Sequence, residues 1–301
     1  MLLLAMVLAA ACADDGPAPE AGAREGAADA PAGDAPGRTA AAETFTLGTF
    51  NIHYVAPWQE GLRWEDRRDA VVAMLEAAEA DFMAFQEMET FEGSSYNEEN
   101  RQLEWIARHF PEYAFAAVGD PQVYPSTQPV MYRPERFEAL DQGFFFFSPD
   151  PDDIYSRSWD GGFPAFASWV RFADRRSGTS FYLYNVHFDH SSRGNRIKAA
   201  ELVVERLGGR EHPGDPVIVA GDFNAPWFFR PVQIVSDAGL DIADTTGSTF
   251  HLRRGFNIIP AIDHVLASDG FEVGPTEVLR KRYAGTWPSD HYPVLVRLTP
   301  R

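Results

Sequence analysis

Asp222 and Asn224 stand two residues apart, directly after the apolar run Val217-Ile218-Val219-Ala220-Gly221. In an extended chain, residues two apart project to the same side. Both polar groups therefore share a face at the point where a buried strand emerges. The same arrangement recurs along the chain. Asn51 and His53 end the run from Phe45 to Phe50, Glu87 ends Phe82 to Gln86, and Asn185 and His187 end Phe181 to Tyr184. Asp290 and His291 precede the final apolar run. A carboxylate at the mouth of an apolar strand needs a partner, because desolvating an unpaired charge costs several kcal/mol. Glu87, Asp222 and Asp290, set near histidines and amides, suit a hard divalent cation bound through oxygen. Singly, each has a plainer reading: Asp222 or Asn224 opens a turn before Pro226, Glu87 is an exposed strand end, and His187 is a satisfied structural histidine. The ordered set is what points to chemistry.

The elements that must position these residues alternate between strand and helix. Runs rich in Val, Ile, Phe and Tyr predict strands at 45–52, 82–87, 113–118, 129–133, 143–147, 167–173, 180–188, 216–221, 262–267 and 292–298. Helices are expected at 65–80, 98–110, 193–208 and 229–238; in the third, Ile197, Ala200, Val203, Val204 and Leu207 fall on one face. Strands and helices interleaved without an internal repeat indicate one α/β domain over 44–301. No glycine-rich phosphate loop follows a strand, which argues against a nucleotide-binding fold of that kind.

Thr49-Phe50-Asn51-Ile52, Gln86-Glu87, Asn185-Val186-His187-Phe188-Asp189-His190, Gly221-Asp222-Phe223-Asn224, Ile262-Asp263-His264 and Ser289-Asp290-His291 resemble the motifs of the endonuclease/exonuclease/phosphatase superfamily. They stand in the family's order and span nearly the whole domain. Trp64 with Arg67 or Arg68, Val130-Met131-Tyr132-Arg133-Pro134-Glu135-Arg136-Phe137, Ser158-Trp159-Asp160 and Arg196 are similar to a bacterial secreted or lipoprotein branch related to the nocturnin and deadenylase group. Inositol-phosphatase relatives carry Cys-Asp-Arg where this chain has Ile262-Asp263-His264, which sets it apart from them. The resemblance implies an α/β four-layer sandwich, two mixed β-sheets face to face and flanked by helices. It also implies that Glu87 binds Mg²⁺ or Mn²⁺, with Asn51 and Asp290 completing the site. Asp222 and Asn224 would position and activate the attacking water, and His187 would donate to a non-bridging phosphoryl oxygen. His291, oriented by Asp263, would sit against the phosphate. The attack would be in line, on a phosphodiester or phosphomonoester. Whether Asp222 or His291 takes the proton, and whether one metal or two operates, stays open at this level.

Arg133 and Arg196 are candidate phosphate clamps, since a guanidinium presents paired donors, with a surface salt bridge as the plainer role. Asp189 and His190 either orient His187 or cap a loop. His264 is expected to be structural, and Trp159, Trp169, Trp227 and Trp287 to be core or rim packing.

Composition bounds the substrate and the compartment. The 301 residues are 45% hydrophobic and 13% aromatic, enough for a substantial core, with a formal net charge of −18. Residues 13–43 hold seven acids and two arginines and no aromatic, Val, Ile, Leu or Met, so they read as a flexible linker. The domain keeps a charge of −13 and holds no basic run longer than Arg253-Arg254 or Arg280-Lys281-Arg282. Proteins that neutralise a polyphosphate backbone are usually basic. No stable nucleic-acid complex is therefore expected, and a small phosphate ester is preferred over long DNA or RNA. Ala165, where the related branch usually has arginine, points the same way. An extracellular nuclease is the alternative, and a non-catalytic surface lipoprotein reusing the fold is the reading from another class. Residues 1–12 form an apolar signal-peptide-like segment too short to span a bilayer. Ala9-Ala10-Ala11 before the lone Cys12 resembles a bacterial lipobox. The expectation is a lipid on Cys12 and a protein facing the periplasm or exterior, or one simply secreted.

Overall fold

The computed structural model describes residues 43–88 and 100–301. Cys12, the expected leader and residues 13–42 of the expected linker lie outside them. Two mixed six-stranded sheets stack face to face. The first holds β1 (Phe45–Asn51), β2 (Phe82–Gln86), β3 (Ala114–Ala116), β4 (Val130–Tyr132), β11 (Phe271–Val278) and β12 (Val294–Pro300), in the order β11-β12-β1-β2-β4-β3. The second holds β5 (Phe137–Phe146), β6 (Phe166–Asp174), β7 (Ser180–His187), β8 (Val217–Asp222), β9 (Leu240–Ile242) and β10 (Asp263–Ser268), in the order β5-β6-β7-β8-β10-β9. Helices α1 (Trp64–Ala78) and α2 (Arg101–His109) cover the outer face of the first sheet, and α3 (Arg193–Gly208) and α4 (Arg230–Ser236) that of the second. The four-layer sandwich is as the resemblance implies.

Period-two alternation builds these layers. Phe45 and Leu47 of β1, Phe82 and Ala84 of β2, Phe181 and Leu183 of β7, and Ile218 and Ala220 of β8 fill the space between the sheets. The alternate residues Phe50, Met83 and Phe85 pack under α1 and α2, while Tyr182, Tyr184, Val217 and Val219 pack under α3 and α4. Following the inner face upward, the apolar residues give way to an amide layer. Gln86 Nε2 donates to Asn185 Oδ1 across the sheets at 2.7 Å and to Thr49 Oγ1 at 3.1 Å, and Asn185 Nδ2 donates to the Phe85 carbonyl at 2.7 Å. The site lies directly beyond this layer.

All ten expected strands and all four helices are present, with boundaries shifted by a few residues. Two strands escape the sequence pattern. The edge strand β11 contains Gly274 and Pro275, which punctuate its pattern, and its register shifts between Val273 and Thr276. The edge strand β9 is only three residues long. The start of β5 also reaches back from 143 to Phe137, through a register shift between Ala139 and Asp141 where charged, exposed residues hide the alternation.

Arg133 does not reach the site. Its backbone N–H donates to the Asp81 carbonyl at 3.1 Å, at the start of β2, whereas Glu87 lies just past the other end of that strand. Its guanidinium stacks on Tyr113, 4.4 Å from the ring centre. The expectation of a phosphate clamp at Arg133 is thereby overturned, because antiparallel pairing of β4 with β2 carries it to the far end.

Arg136, three residues on, fastens the entry of the chain. It is buried, donates to Asp174 Oδ2 at 2.9 Å and to the carbonyls of Glu43 and Thr44, and lies over the Phe137 ring at 4.8 Å. Burial alone would raise the Asp174 carboxyl, but the hydrogen bonds and charge of Arg136 hold it below its ordinary value. A depressed folded-state value means that the unfolded chain takes up the proton first. This contribution is therefore present above the ordinary carboxylate range and disappears as pH falls through the folded-state value. Arg136→Ala leaves Asp174 buried and unpaired and is expected to cost about 3–5 kcal/mol in urea unfolding at neutral pH. The deficit should shrink in acid; a loss under about 1 kcal/mol at neutral pH would contradict this account.

Candidate active site

Strand register delivers the chemical groups to one level. In parallel pairs, Asn51 lies beside Gln86 and His187 beside Asp222; in an antiparallel pair, Asp263 lies beside Asp222. Just before Asp222, Gly221 has φ +144°, and a Cβ there would fall 1.9 Å from the Val186 carbonyl oxygen. Only glycine lets β8 approach β7 this closely at the site. His53, Glu87 and Asn224 all have positive φ (62°, 56° and 47°), a left-handed geometry that non-glycine residues adopt at some cost. At Glu87 this turn interrupts the strand's alternation, and the carboxylate meets the site residues.

The central contact joins the two sheets. Asn51 Nδ2 donates to Glu87 Oε1 at 3.0 Å and to Asp222 Oδ2 at 3.1 Å. His187 Nε2 lies 3.7 Å from each of the same two oxygens. His53 Nδ1 lies 3.4 Å from Glu87 Oε2 and 3.5 Å from Asp290 Oδ1. Asp263 Oδ2 holds His291 Nδ1 at 2.9 Å, and His291 Nε2 faces Asp222 Oδ2 at 3.8 Å. Burial would raise Glu87, but hydrogen bonds from His53 and Asn51 and the charges of His187 and His53 hold it well below the carboxylate range. Asp222 goes the other way, pushed up to about 6 by burial and by the charge of Asp263. His291 is raised to about 10, because Asp263, Asp222 and Asp290 outweigh its burial, so it carries a proton at neutral pH.

Asp222, Asp263 and His291 offer ligand atoms within 4.8 Å of one another. Their hydrogen bonding is that of a proton-holding triad, since a cation among them would compete with the His291 proton. The other candidate centre lies between Glu87 and Asp290, carboxylates from two separate loops that both approach His53 Nδ1. Its donor set, oxygen-rich and carrying two charges, fits a hard divalent cation. Asn51 stands between the acids here. Its amide N–H group bridges the carboxylates, and its Oδ1 accepts the His53 N–H at 3.1 Å. Asn224 is a donor too. Its Nδ2 donates to the Phe188 carbonyl at 2.8 Å, and its N–H donates to Asp222 Oδ1 at 2.8 Å, so it ties the His187 loop to Asp222.

Other expected residues resolve as follows. Arg196, on the first turn of α3, donates to the Asp189 carbonyl at 2.8 Å; burial lowers its affinity for its proton, opposed by the charges of Asp189 and Asp222. It is near the site, as Arg133 is not. Asp189 caps a loop, accepting from the N–H groups of Gly162, Ser191 and Ser192. His264 is buried with a ring nitrogen 2.9 Å from the Ala225 carbonyl, a structural role.

Two residues went unassigned in the sequence. His53 shares a strand end with Asn51, and that two-residue spacing was its signal. Arg67 is fully buried and donates to the carbonyls of Ile52, His53, Tyr54, Leu62 and Pro288 at 2.5–2.9 Å. One guanidinium on α1 thereby fixes both the loop after Asn51 and the loop that carries Asp290. Ser289 adds a second tie, donating to the Asn51 carbonyl at 2.7 Å.

The chain matches the model of the endonuclease/exonuclease/phosphatase family over residues 48–291, and it belongs to that family. Among solved structures it is similar to a mannosyl-6-phosphatase of Bacteroides thetaiotaomicron VPI-5482, at 25% identity and TM-score 0.73, covering 85% of this chain and 99% of that one. It is also similar in fold to the human Nocturnin catalytic domain with bound sulfate, at 15% identity and TM-score 0.60, covering 86% and 94%. A curated relative, the uncharacterized protein L388 of Acanthamoeba polyphaga mimivirus, is 27% identical over 167 residues, 54% of this chain and 59% of that protein. The match thus spans less than two thirds of that relative's length.

Arg67→Lys tests the fastening. Lysine keeps the charge but replaces a planar five-donor fork by a compact ammonium, so several buried carbonyls lose their donor. The expected loss in urea unfolding is about 2–4 kcal/mol. An unchanged midpoint would mean that the two loops do not depend on Arg67.

Proposed function

We propose that the chain is a divalent-cation-dependent phosphoesterase that hydrolyses its substrate by in-line attack of water. The observation that carries this reading is the meeting, from two sheets, of the Glu87–Asp290 carboxylate pair with the Asp222, His187 and Asp263–His291 groups around Asn51 Nδ2. Glu87 and Asp290 would hold Mg²⁺ or Mn²⁺. When bound, that ion supplies charge to a phosphoryl oxygen and to the leaving oxygen. Asp222 is the acceptor for the water's proton. It is a carboxylate with raised proton affinity, whereas His291 already holds its proton against Asp263. His187 and protonated His291 face the same point from two sides and donate to the phosphoryl oxygens as charge builds there. Arg196, beside Asp189, adds positive charge at that edge.

The substrate class we infer is a small phosphate mono- or diester, a sugar phosphate or a lipid headgroup phosphate rather than a long nucleic acid. The domain charge of −13 and the sugar-phosphatase relative at 25% identity support it. Lipid attachment at Cys12 to a bacterial envelope remains our proposal for location. Mass spectrometry of the mature N-terminus checks it, and an unmodified Cys12 would refute it.

Glu87→Gln preserves shape and removes one charge. Calorimetric titration with Mn²⁺ should show affinity lowered by about tenfold or more, with turnover falling at limiting metal. Wild-type affinity would remove Glu87 from the metal site. For substrate, turnover of sugar phosphates and nucleotides is compared with that of single- and double-stranded nucleic acid at about 150 mM salt, where repulsion is screened as in cells. Degradation of long DNA, with no small ester turned over comparably, would make the chain an extracellular nuclease.

A further inference from the structure

Of the seven large hydrophobic side chains exposed among the described residues, six lie on loops at the site end of the two sheets: Trp58, Val123, Trp227, Phe228, Phe256 and Ile258. Only Leu140, within β5, lies elsewhere. The strand directions fix this. Residues 52–63 follow the C-terminal end of β1, 223–229 follow that of β8, 243–262 lead into Asp263, and 117–129 join β3 to β4 beside the C-terminal end of β2. An apolar side chain on a loop tip gains nothing from water. Six gathered at one end mark a contact surface rather than scattered exposure.

The loops at this end also carry a cluster of cations. Arg253, Arg254, Arg280, Lys281 and Arg282 sit on the loops 243–262 and 279–293, which pack together through Arg280 Nε on the Ser248 carbonyl at 3.1 Å and His251 against Trp287 at 4.7 Å. Arg253 also reaches the Glu60 carbonyl on the Trp58 loop at 3.4 Å, so the basic and aromatic loops are neighbours. None of the five cations forms a carboxylate ion pair among the described residues, so their charge faces outward from these loops rather than into an internal pair such as that of Arg136 with Asp174. In a domain of net charge −13, Arg253-Arg254 and the longest basic run, Arg280-Lys281-Arg282, thus stand without a carboxylate partner beside exposed aromatic and aliphatic tips.

We propose that this rim docks on an anionic lipid surface, with the mouth of the site turned toward the bilayer. Tryptophan and phenylalanine favour the headgroup boundary, aliphatic tips enter the acyl edge, and arginine and lysine attract anionic headgroups. Ile258, the most exposed at 70%, is the feature that favours lipid over a stacked nucleic-acid strand, since an aliphatic tip offers no stacking face. The proposal stands apart from the hydrolytic reading, and its test has no catalytic readout.

The full chain carrying Cys12→Ser, which cannot be acylated there, is sedimented with vesicles of phosphatidylcholine alone and of phosphatidylcholine with phosphatidylglycerol. Preference for the anionic vesicles is expected, weakening as salt rises. In that background Trp227→Ala with Phe228→Ala, and separately Arg253→Ser with Lys281→Ser, should each lower partitioning about tenfold or more. Ile258→Asp alone, at a position exposed enough to leave folding intact, should lower it as well, and thermal midpoints confirm that each variant is folded. Equal binding by all folded variants, no preference for anionic vesicles, or no vesicle binding would overturn the proposal. Binding of a single-stranded oligonucleotide that the same variants abolish, without vesicle binding, would make the rim a nucleic-acid face instead.

Discussion

Two sheets of one chain press carboxylates toward a common point, and that electrostatic strain is the constraint around which the molecule is organised. Glu87 comes from the first sheet and Asp222 from the second, and both oxygens share Asn51 Nδ2. Asp263 and Asp290 lie close behind, each with its own histidine contact. Such a cluster is tolerable only if every acid meets a donor or a positive charge. His53, His187 and His291 supply these contacts, and the unequal surroundings separate the acids chemically. Glu87 is held ionised and Asp222 is made readily protonated. In the function proposed above, similar residues thereby divide into a cation holder and a proton acceptor.

Holding that arrangement requires more than the residues that form it. Arg67 gathers five carbonyls from the loop after Asn51 and the loop that carries Asp290, and Ser289 fastens the second loop to the first strand. Gln86 and Asn185 lock the sheets together one layer below. The left-handed backbone at His53, Glu87 and Asn224 shows where conformational energy is stored to aim side chains. Packing beneath, with Phe82 and Phe181 between the sheets, provides the rigid base against which such strain can be held.

Much of this was legible in the sequence because both signals are local. Apolar alternation marked the ten strands that carry the core, and polar residues two apart at strand ends marked Asn51, His187 and Asp222. What escaped was set by distant partners. Arg133 lies in a motif that resembles the family's, but strand direction alone carries it to the opposite end. The amide orientation of Asn51 depends on an acid 171 residues away, which no spacing rule sees. Edge strands β9 and β11 escaped because neighbours, not their own pattern, make them strands. The role of Arg67 depends on carbonyls, and backbone acceptors leave no trace in composition.

The central claim is that the divalent cation belongs between Glu87 and Asp290, leaving Asp222, Asp263 and His291 to handle protons. Anomalous diffraction from a crystal soaked in Mn²⁺ tests this most directly, because it locates the ion without reference to activity. A single strong peak in contact with Glu87 and Asp290 is the predicted result. A peak held by Asp222, Asp263 and His291, with none at Glu87, would contradict the account.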